Sequence, residues 1–136
     1  MNYVNITRFN CDRMRRRLKV EVRKLGIPIT IVRDLYEPDG MNGFVNKGTK
    51  NITNDMIMIL IKDVSANEVI VEGGRKITVT GRLIIPYDET LELKKGDYFK
   101  NGDRTFYVAD FVDVNDMNVY YHANLVGSLD ELNGHG

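Results

Sequence analysis

The sequence predicts a mainly β protein, a small antiparallel β-barrel or compact sandwich, preceded by one N-terminal α-helix. Only residues 1–25 carry a long helical pattern. Roughly six to eight short runs rich in aromatic and β-branched residues follow, with a turn signal about every eight to twelve residues. A chain of 136 residues, 43% hydrophobic and 28% charged, is long enough to bury one core without disulfides.

The N-terminal helix is predicted to occupy residues 1–26 and to form a basic unit of its own. Gly26 supplies a helix stop, and Pro28 cannot continue the helix. Residues 18–22 also alternate as a strand would, but the apolar stripe at helical spacing is longer and agrees with the stop signals. That stripe consists of Met14, Leu18, Val22 and Leu25.

Residues 27–127 are predicted to form the antiparallel β-barrel domain. Residues 27–36 alternate between apolar and polar side chains, as a strand with one buried face does. Residues 37–54 are rich in turn signals and predict a long hairpin connection or mobile loop, with a short strand near Phe44. The uninterrupted apolar run of residues 56–61 predicts a strand that is buried on both faces.

Turn signals divide the rest of the domain into consecutive strands. Hairpins are predicted at Gly73-Gly74 and at Asn101-Gly102, because both dipeptides favour tight turns between strands. Pro86 lacks an amide donor and therefore ends a strand or lies at a sheet edge. Residues 128–136 are mostly polar and are predicted to form a flexible C-terminal tail.

The formal net charge of zero hides a strong asymmetry. Residues 1–25 contain eight basic and two acidic side chains, whereas the rest of the chain contains eleven basic and seventeen acidic ones. Zero net charge gives the whole molecule no attraction to nucleic acid or membrane. A basic front on an acidic body predicts internal neutralisation or assembly with a neighbour of opposite sign.

The basic front contains a candidate assembly surface. Contact with phosphate or DNA is one interpretation of such a cluster. No aromatic side chains are interleaved with these arginines to stack on bases, which favours a solvated helix face or a helix set against the acidic β domain. The candidate assembly surface consists of Arg13, Arg15, Arg16, Arg17 and Lys24.

The sequence shows no catalytic or metal-binding constellation. His122 lies within a predicted strand and as a general base would need a nucleophile or acid that the sequence does not place, and Cys11 is a lone thiol near several arginines. We therefore expect no enzyme activity, no cofactor and no metal. The acidic turn that could ligate calcium lacks the terminal Glu of a calcium loop and suits a plain turn; it contains Asp110, Asp113, Asn115 and Asp116.

The single cysteine also bears on where the protein is expected to reside. Cys11 cannot form an intramolecular disulfide, which indicates a reducing compartment. No apolar run approaches the length of a membrane span, and the N-terminus lacks the apolar core of a signal peptide. We expect an intracellular, soluble chain.

Turn and aromatic residues between positions 77 and 126 resemble the C-terminal half of small head-completion proteins of long-tailed bacteriophages. This family includes the head–tail joining, or stopper, proteins of siphophages and prophage-like elements. In it, a strand ends in a Pro-Tyr-Asp-like turn, a spacer leads to a short hairpin, and an Asp-containing turn precedes the last strand. The matching residues are Pro86-Tyr87-Asp88, Lys95-Gly96-Asp97-Tyr98-Phe99, Arg104-Thr105-Phe106-Tyr107-Val108 and Asp113.

The resemblance implies a structural virion protein at the head–tail interface. Such a subunit forms a homo-oligomeric ring beneath the portal, closes the DNA channel after packaging and presents a docking surface to the tail. Its partners would be the portal or adaptor ring, tail components and packaged DNA in the channel, and it would reside in the host cytoplasm before assembly. The long basic helix departs from the simplest members, so stopper, adaptor and other connector roles stay open.

In the resembling family, the connection equivalent to residues 63–76 reaches toward the channel axis. Carboxylates in this connection would repel DNA, and paired glycines suit a tight hairpin tip. An ordinary exposed hairpin that touches nothing is the alternative. The candidate channel-facing residues are Asp63, Glu68, Glu72, Gly73, Gly74, Arg75 and Lys76.

Two other functions also remain open. An enzyme would need His122 or Cys11 in a pocket with a partner. A nucleic-acid-binding β-barrel of the OB type would combine the basic helix with an exposed aromatic groove. The aromatic residues available for that groove are Tyr98, Phe99, Tyr107 and Tyr120.

Overall fold

A computed structural model describes residues 3–62, 69–72, 75–114 and 117–133 of the chain. Strands predominate among the described residues, one long helix precedes them, and the main sheet is an eight-stranded antiparallel curled half-barrel. The predicted fold class is therefore confirmed. Within the described residues, neither helix combines the length and the apolar character that crossing a bilayer requires.

The described part of the chain forms two helices and ten strands. In chain order they are α1 (Tyr3–Leu25), β1 (Ile27–Ile29), β2 (Val32–Pro38), β3 (Phe44–Asn51), β4 (Met56–Lys62), β5 (Val69–Glu72), β6 (Arg75–Thr78), β7 (Gly81–Pro86), β8 (Tyr98–Asn101), β9 (Arg104–Asp113), β10 (Tyr120–Val126) and α2 (Leu129–Asn133). The main sheet has the order β1-β4-β7-β10-β9-β8-β2-β3, and β5 pairs with β6 in a separate two-stranded sheet.

The segment predicted as one strand over residues 27–36 is divided between two ends of the sheet. Ile29 in β1 pairs with β4, whereas Val32 in β2 pairs with β8. Three residue steps span at most about 11 Å, so the chain itself brings these ends together and curls the sheet. The prediction of a single strand is wrong because the side-chain alternation continues through the corner at residues 30–31 while the pairing partner changes.

A buried threonine holds this corner. Thr53 Oγ1 donates a hydrogen bond to the Ile29 carbonyl oxygen at 2.8 Å and accepts one from the Ile31 amide at 2.9 Å. Backbone groups that are buried without a partner cost stability. Thr53 satisfies one such donor and one such acceptor at the point where the strand changes its partner.

The main core lies on one face of the curled sheet. Buried side chains alternate with half-buried ones along β7, as the alternating sequence predicts. Phe99 and Phe106 stack across β8 and β9 with ring centroids 5.4 Å apart. The other fully buried members of this core include Ile29, Ile31, Met58, Leu83, Ile85, Leu93, Val108, Ala123 and Leu125.

Helix α1 packs on β4 and β7 and ends at Gly26. The Gly26 amide donates to the Val22 carbonyl oxygen at 2.8 Å. A Cβ at Gly26 would lie 2.6 Å from the Ile57 side chain, so only glycine allows the chain to leave the helix this close to β4. The predicted helix and its stop signal are confirmed.

The prediction that residues 56–61 are buried on both faces is wrong. Ile57 and Ile61 remain 43% and 40% exposed, while Met58 on the other face is fully buried. The reason is that α1 covers the outer face of β4 only in part. An apolar run that suggests symmetric burial therefore leaves an apolar surface beside the helix.

Two segments predicted to be irregular contain regular structure. The turn-rich stretch 37–54 includes the eight-residue strand β3. The predicted tail over residues 128–136 contains helix α2, which forms because Leu132 is buried in a second apolar cluster. That cluster also contains Ile77, Ala109 and Val126.

The strand pairing beside both predicted hairpin turns is confirmed, while Gly73 and Gly74 themselves lie outside the described residues. Glu72, the last residue of β5, pairs with Arg75, the first residue of β6, so two residues connect these strands. Asn101 pairs with Arg104, and Gly102 begins the intervening turn with a φ of 62°. The second turn therefore consists of Gly-Asp and lies one residue later than the Asn-Gly signal suggests.

One ion pair joins β2 to the turn before β8. Arg33 Nε and Nη2 donate to the two carboxylate oxygens of Asp97, each at 2.8 Å. Asp97 also accepts from the Lys94 amide at 2.8 Å, and Arg33 donates to the Glu92 carbonyl oxygen at 3.0 Å. The hydrogen bond to Asp97 raises the pKa of Arg33, so the guanidinium stays charged. The pair is a two-pronged contact between segments that are distant in sequence.

We expect the substitution Asp97→Asn to destabilise the fold by roughly 2–4 kcal/mol. Removing one partner of a buried pair costs about 3–5 kcal/mol, and the Arg33 side chain, 23% exposed against 2% for Asp97, recovers part of that in solvent. The free energy of unfolding from urea titration measures the effect. Asp103→Asn, a matched change in an exposed turn, should alter it by less than about 0.5 kcal/mol. Equal effects of the two substitutions would contradict a structural role for the pair.

Candidate functional site

The basic face of α1 is exposed, as predicted, for all but one of its residues. Arg13, Arg17 and Lys24 follow one another at spacings of four and seven residues, which puts them on one face of the helix. Arg16 is also exposed and lies about 100° around the helix from Arg17. We call Arg13, Arg17 and Lys24 the basic rim.

Arg15 differs from the other predicted surface arginines, because its side chain is engaged within the chain. Its Nη1 donates to Asp12 at 2.7 Å, and its Nε donates to the Asn118 carbonyl oxygen at 3.0 Å. A longer bond of 3.4 Å reaches the Met117 carbonyl oxygen. Arg15 therefore anchors α1 to the segment before β10, and its assignment to an assembly surface stays a prediction.

The predicted channel-facing residues are only partly described. Glu72, Arg75 and Lys76 belong to the β5–β6 pair, whereas Asp63, Glu68, Gly73 and Gly74 lie outside the described residues. The hairpin is not part of the main sheet. Its base is fixed instead by Ile77, which is buried in the cluster with Leu132.

The two residues considered for catalysis, His122 and Cys11, lie within regular secondary structure. His122 is half-buried in β10 between Ile84 of β7 and Val112 of β9. Cys11 is a buried residue of α1. Among the described residues, no group of three or more His, Cys, Asp or Glu side chains is arranged to hold a metal ion.

The two described acids of the predicted turn take part in local hydrogen bonds. Asp110 accepts from the backbone and side-chain nitrogens of Asn124 at 3.0–3.1 Å, where the pairing of β9 with β10 shifts register. Asp113 accepts from the Asn118 amide at 3.2 Å. Both carboxylates therefore stabilise the pairing of β9 with β10 and the connection between these strands.

The four aromatic residues proposed for stacking on nucleic acid do not form one exposed platform. Phe99 is buried against Phe106 in the core. Tyr98 and Tyr107 contact each other, with ring centroids 5.7 Å apart, and the Tyr98 hydroxyl is occupied by Asp34. Tyr120 lies elsewhere, beside α1. The specific aromatic surface that an OB-type function requires is absent from this set.

An apolar groove runs between α1 and the outer face of the sheet. Its volume is about 550 Å³, within the range of ligand-sized pockets. Apolar side chains from α1, β4, β7 and the start of β10 form its walls, and Arg17 and Glu21 stand at the helix side. We call this the helix groove; its apolar walls are Met14, Leu18, Leu25, Ile59, Ile61, Ile84, Val119 and Tyr120.

Strands β2 and β3 form an arm at the other end of the strand order. The arm comprises residues 35–49, and every residue of β3 is exposed. Met41 and Phe44 are 84% and 72% exposed, and Leu35, Tyr36 and Val45 are exposed as well. Large apolar side chains concentrated on one exposed element mark an interaction surface more often than scattered ones do.

The end of the arm is held in a defined turn by Asp39. Its carboxylate accepts from the amides of Met41 at 2.7 Å and Gly43 at 3.0 Å, and its own amide donates to the Gly43 carbonyl oxygen at 3.0 Å. The bonds from these two amides lower the pKa of Asp39, so the turn keeps its anionic acceptor at neutral pH. We call residues 36–45 the arm tip.

The base of the arm is attached to β8 by consecutive residues. Val32 pairs with Tyr98 in the sheet, and Arg33 binds Asp97. The Tyr98 hydroxyl donates to Asp34 at 2.8 Å. Val32, Arg33 and Asp34 are each bonded to Asp97 or Tyr98, and these contacts fix the direction in which the arm leaves the sheet.

Sequence reasoning missed the arm and the helix groove, although the sequence carries signals for both. The arm lies in a stretch where turn residues are frequent, and the apolar residues among them, such as Met41 and Phe44, have no period. The groove contains Ile59 and Ile61 of the run 56–61, whose outer face a single helix is too narrow to cover.

Comparisons with known proteins add no family to these observations. No protein-family model matches the chain. A search of curated proteins and a search of solved structures each found no match. A functional proposal therefore rests on the geometry and the sequence patterns of this chain. Their common feature is a pair of exposed apolar surfaces: the helix groove, which Arg17 and Glu21 border on a mainly basic helix, and the arm tip, whose charged residues are acidic.

We expect Tyr98 to ionise later than an ordinary tyrosine, because its hydroxyl donates to Asp34, with burial as a lesser cause of the raised pKa. A pKa raised in the folded state gives a stability contribution that is complete below about pH 10 and is lost as the pH rises through the folded pKa. Alkaline titration of tyrosinate absorbance should show one fewer late tyrosine in Asp34→Asn. Tyr121, whose pKa is raised mainly by burial, serves as an internal reference. An unchanged titration in Asp34→Asn would contradict this assignment.

Proposed function

We propose that this chain is a structural subunit of the head–tail connector of long-tailed bacteriophages or prophage-like elements. In this role it forms a ring beneath the portal, closes the DNA channel after packaging and offers a docking surface to the tail. The observation that carries the proposal is that the residues resembling head-completion proteins all lie on one continuous antiparallel unit, β7 to β10 with its connections. The proposed binding partners are the portal or adaptor ring and tail components.

The resembling residues make contacts that shape this unit. The Tyr87 amide donates to the Val119 carbonyl oxygen at 3.1 Å, and the Tyr87 and Tyr121 rings lie 5.4 Å apart. Asp88 accepts from the backbone and side chain of Thr90 and so forms the turn after Pro86. These contacts stabilise the fold of the unit. A resemblance that consists of such contacts fits a protein that functions by assembling with others.

The second half of the motif has the same character. Asp97 binds Arg33, and the Arg104 guanidinium lies 4.7 Å from the centre of the Phe106 ring. Gly96 and Asp97 also exchange backbone hydrogen bonds with Val108 at 2.9 and 2.7 Å. The motif thus stabilises the turn and hairpin that carry β8 and β9.

Within this proposal, the β5–β6 hairpin is the channel-facing element and the basic rim is an assembly surface. The hairpin forms its own small sheet and is joined to the main unit through Ile77. The connection that contains it carries the carboxylates of Asp63, Glu68 and Glu72, which would repel DNA rather than bind it.

Disruption of the gene tests the proposed function directly. In cells that produce the phage or induced prophage, we expect full-sized heads and unattached tails, with the packaged DNA lost from the heads. Supplying the intact chain from a plasmid should restore joined, filled particles, as seen by electron microscopy and nuclease protection. Infectious particles at normal yield without the chain would overturn the proposal, as would a portal gene and tail genes absent from its neighbourhood.

Removing the hairpin tests the channel assignment separately. Replacing residues 69–76 by a short Gly-Ser link should leave the domain folded, because Ile77 is retained and changes in loop length cost little closure entropy. We expect such particles to join heads to tails but to lose nuclease protection of their DNA. A control exchange of Gly102-Asp103 for Asn-Gly alters the other hairpin turn and should not cause leakage. Filled, protected heads without the hairpin would assign channel closure to another element.

A further inference from the structure

The arm tip and the helix groove are two apolar surfaces that one chain leaves uncovered. The arm belongs to β2 and β3, the last two strands in the order of the sheet, and the groove to α1, β4 and β7 near the first strand. The exposure of Met41 and Phe44 shows that the arm tip does not occupy the groove of its own chain. Each surface therefore has room for a partner.

We infer that the arm tip of one copy of this chain binds in the helix groove of a second copy. The tip presents Met41 and Phe44 as projecting apolar side chains, and the groove offers a volume of about 550 Å³ with almost entirely apolar walls. Transfer of such side chains from water into an apolar groove is favourable in proportion to the area that is buried. A projecting surface thus meets a recessed one of the same chemistry.

The charges around the two surfaces are complementary. The arm tip contains two acidic residues, Glu37 and Asp39, and no basic one. The described helix side chains over residues 11–25 include seven basic and two acidic ones, and the basic rim borders the groove at Arg17. Charges of opposite sign at the edge of an apolar contact raise the association rate and select the orientation. This complementarity identifies a second copy as the occupant of the groove.

The arm is also prepared for binding before a partner arrives. Asp39 holds the turn at its end, and the Arg33–Asp97 pair and the Tyr98–Asp34 bond hold its base. A surface that is ordered in the free chain loses less conformational entropy on association. The β3 edge carries Lys47 and Lys50, and charged side chains of this kind discourage direct edge-to-edge pairing of strands.

A contact between two different surfaces of the same chain is head-to-tail. Each bound copy still offers one free arm and one free groove, so growth continues until a ring closes or a filament forms. That the closed form is a ring beneath a portal rests on the proposed function. The contact itself rests only on the arm and the groove.

Sedimentation velocity of the full chain over a range of concentrations tests the inference. We expect species larger than a dimer, which dissociate as the salt concentration rises because rim charges are screened. An arm variant, Met41→Ser with Phe44→Ser, and a groove variant, Ile61→Glu, should each associate at least tenfold more weakly than the intact chain. Val112→Ser removes an apolar side chain that is 52% exposed and lies outside both surfaces, and it should have no effect.

Mixing the two variants gives the decisive result. The arm variant keeps an intact groove and the groove variant an intact arm, so together they should form a one-to-one dimer and nothing larger. A mixture that stays monomeric although both melting temperatures are unchanged would overturn the inference. Continued assembly of the groove variant alone, which indicates arm-to-arm pairing, would also overturn it, as would an intact chain that is monomeric up to about 1 mM.

A charge exchange tests the rim without changing the apolar walls. Arg17→Glu and Glu37→Lys should each weaken self-association at low salt, and the chain that carries both changes should recover it. This variant also protects the test against a groove substitution that fails to fold. Failure of self-association with normal head completion would remove only this inference, whereas self-association without any effect on heads would remove only the proposed function.

Discussion

The ion pair between Arg33 and Asp97 is the contact on which the shape of this protein most depends. Asp97 belongs to the turn before β8. Its carboxylate binds Arg33 of β2, and the backbone of the same turn is bonded to Val108 of β9, so one turn links β2 to β8 and β9. Beyond Val32, no further residue of β2 pairs with β8. Without the pair, β2 and β3 would be attached to the body chiefly by one position in the sheet and the Tyr98–Asp34 bond. The arm is therefore a strand pair whose direction is set by a charge contact at its base.

The second constraint is the mismatch between one helix and the wide outer face of a curled sheet. A helix with side chains is about 10–12 Å across, while neighbouring strands are spaced at about 4.8 Å, so α1 shields roughly two strands. It packs on β4 and β7 and is fixed at one end by Gly26 and near its middle by Arg15. Ile61 at the margin stays partly exposed. The helix groove is thus a consequence of covering a sheet with a single helix.

Local patterns in the sequence predicted the local structure well. The helix, its stop at Gly26 and the strand pairs beside the two hairpin turns depend on neighbours in the chain and are confirmed, although the second turn lies at residues 102–103 and Met14 and Leu25 of the apolar stripe stay exposed. The corner at residues 30–31 and the Arg33–Asp97 pair could not be predicted in this way. The pair joins residues 64 positions apart, and the corner depends on which strand lies alongside. For the same reason, the arm and groove follow from the topology and not from any motif.

The motif residues stabilise the unit of β7 to β10, whereas the exposed surfaces belong to other elements. Residues such as Tyr87, Asp88 and Asp97 determine how β7 to β10 are built, and their side chains are directed to partners inside the chain. The arm, the helix groove and the β5–β6 hairpin use other elements, and the hairpin is anchored through Ile77 and Leu132, apart from both apolar surfaces. A contact between copies through arm and groove would therefore leave the hairpin unengaged. In the proposed function, the hairpin would close the channel while the arm and the helix groove hold neighbouring copies.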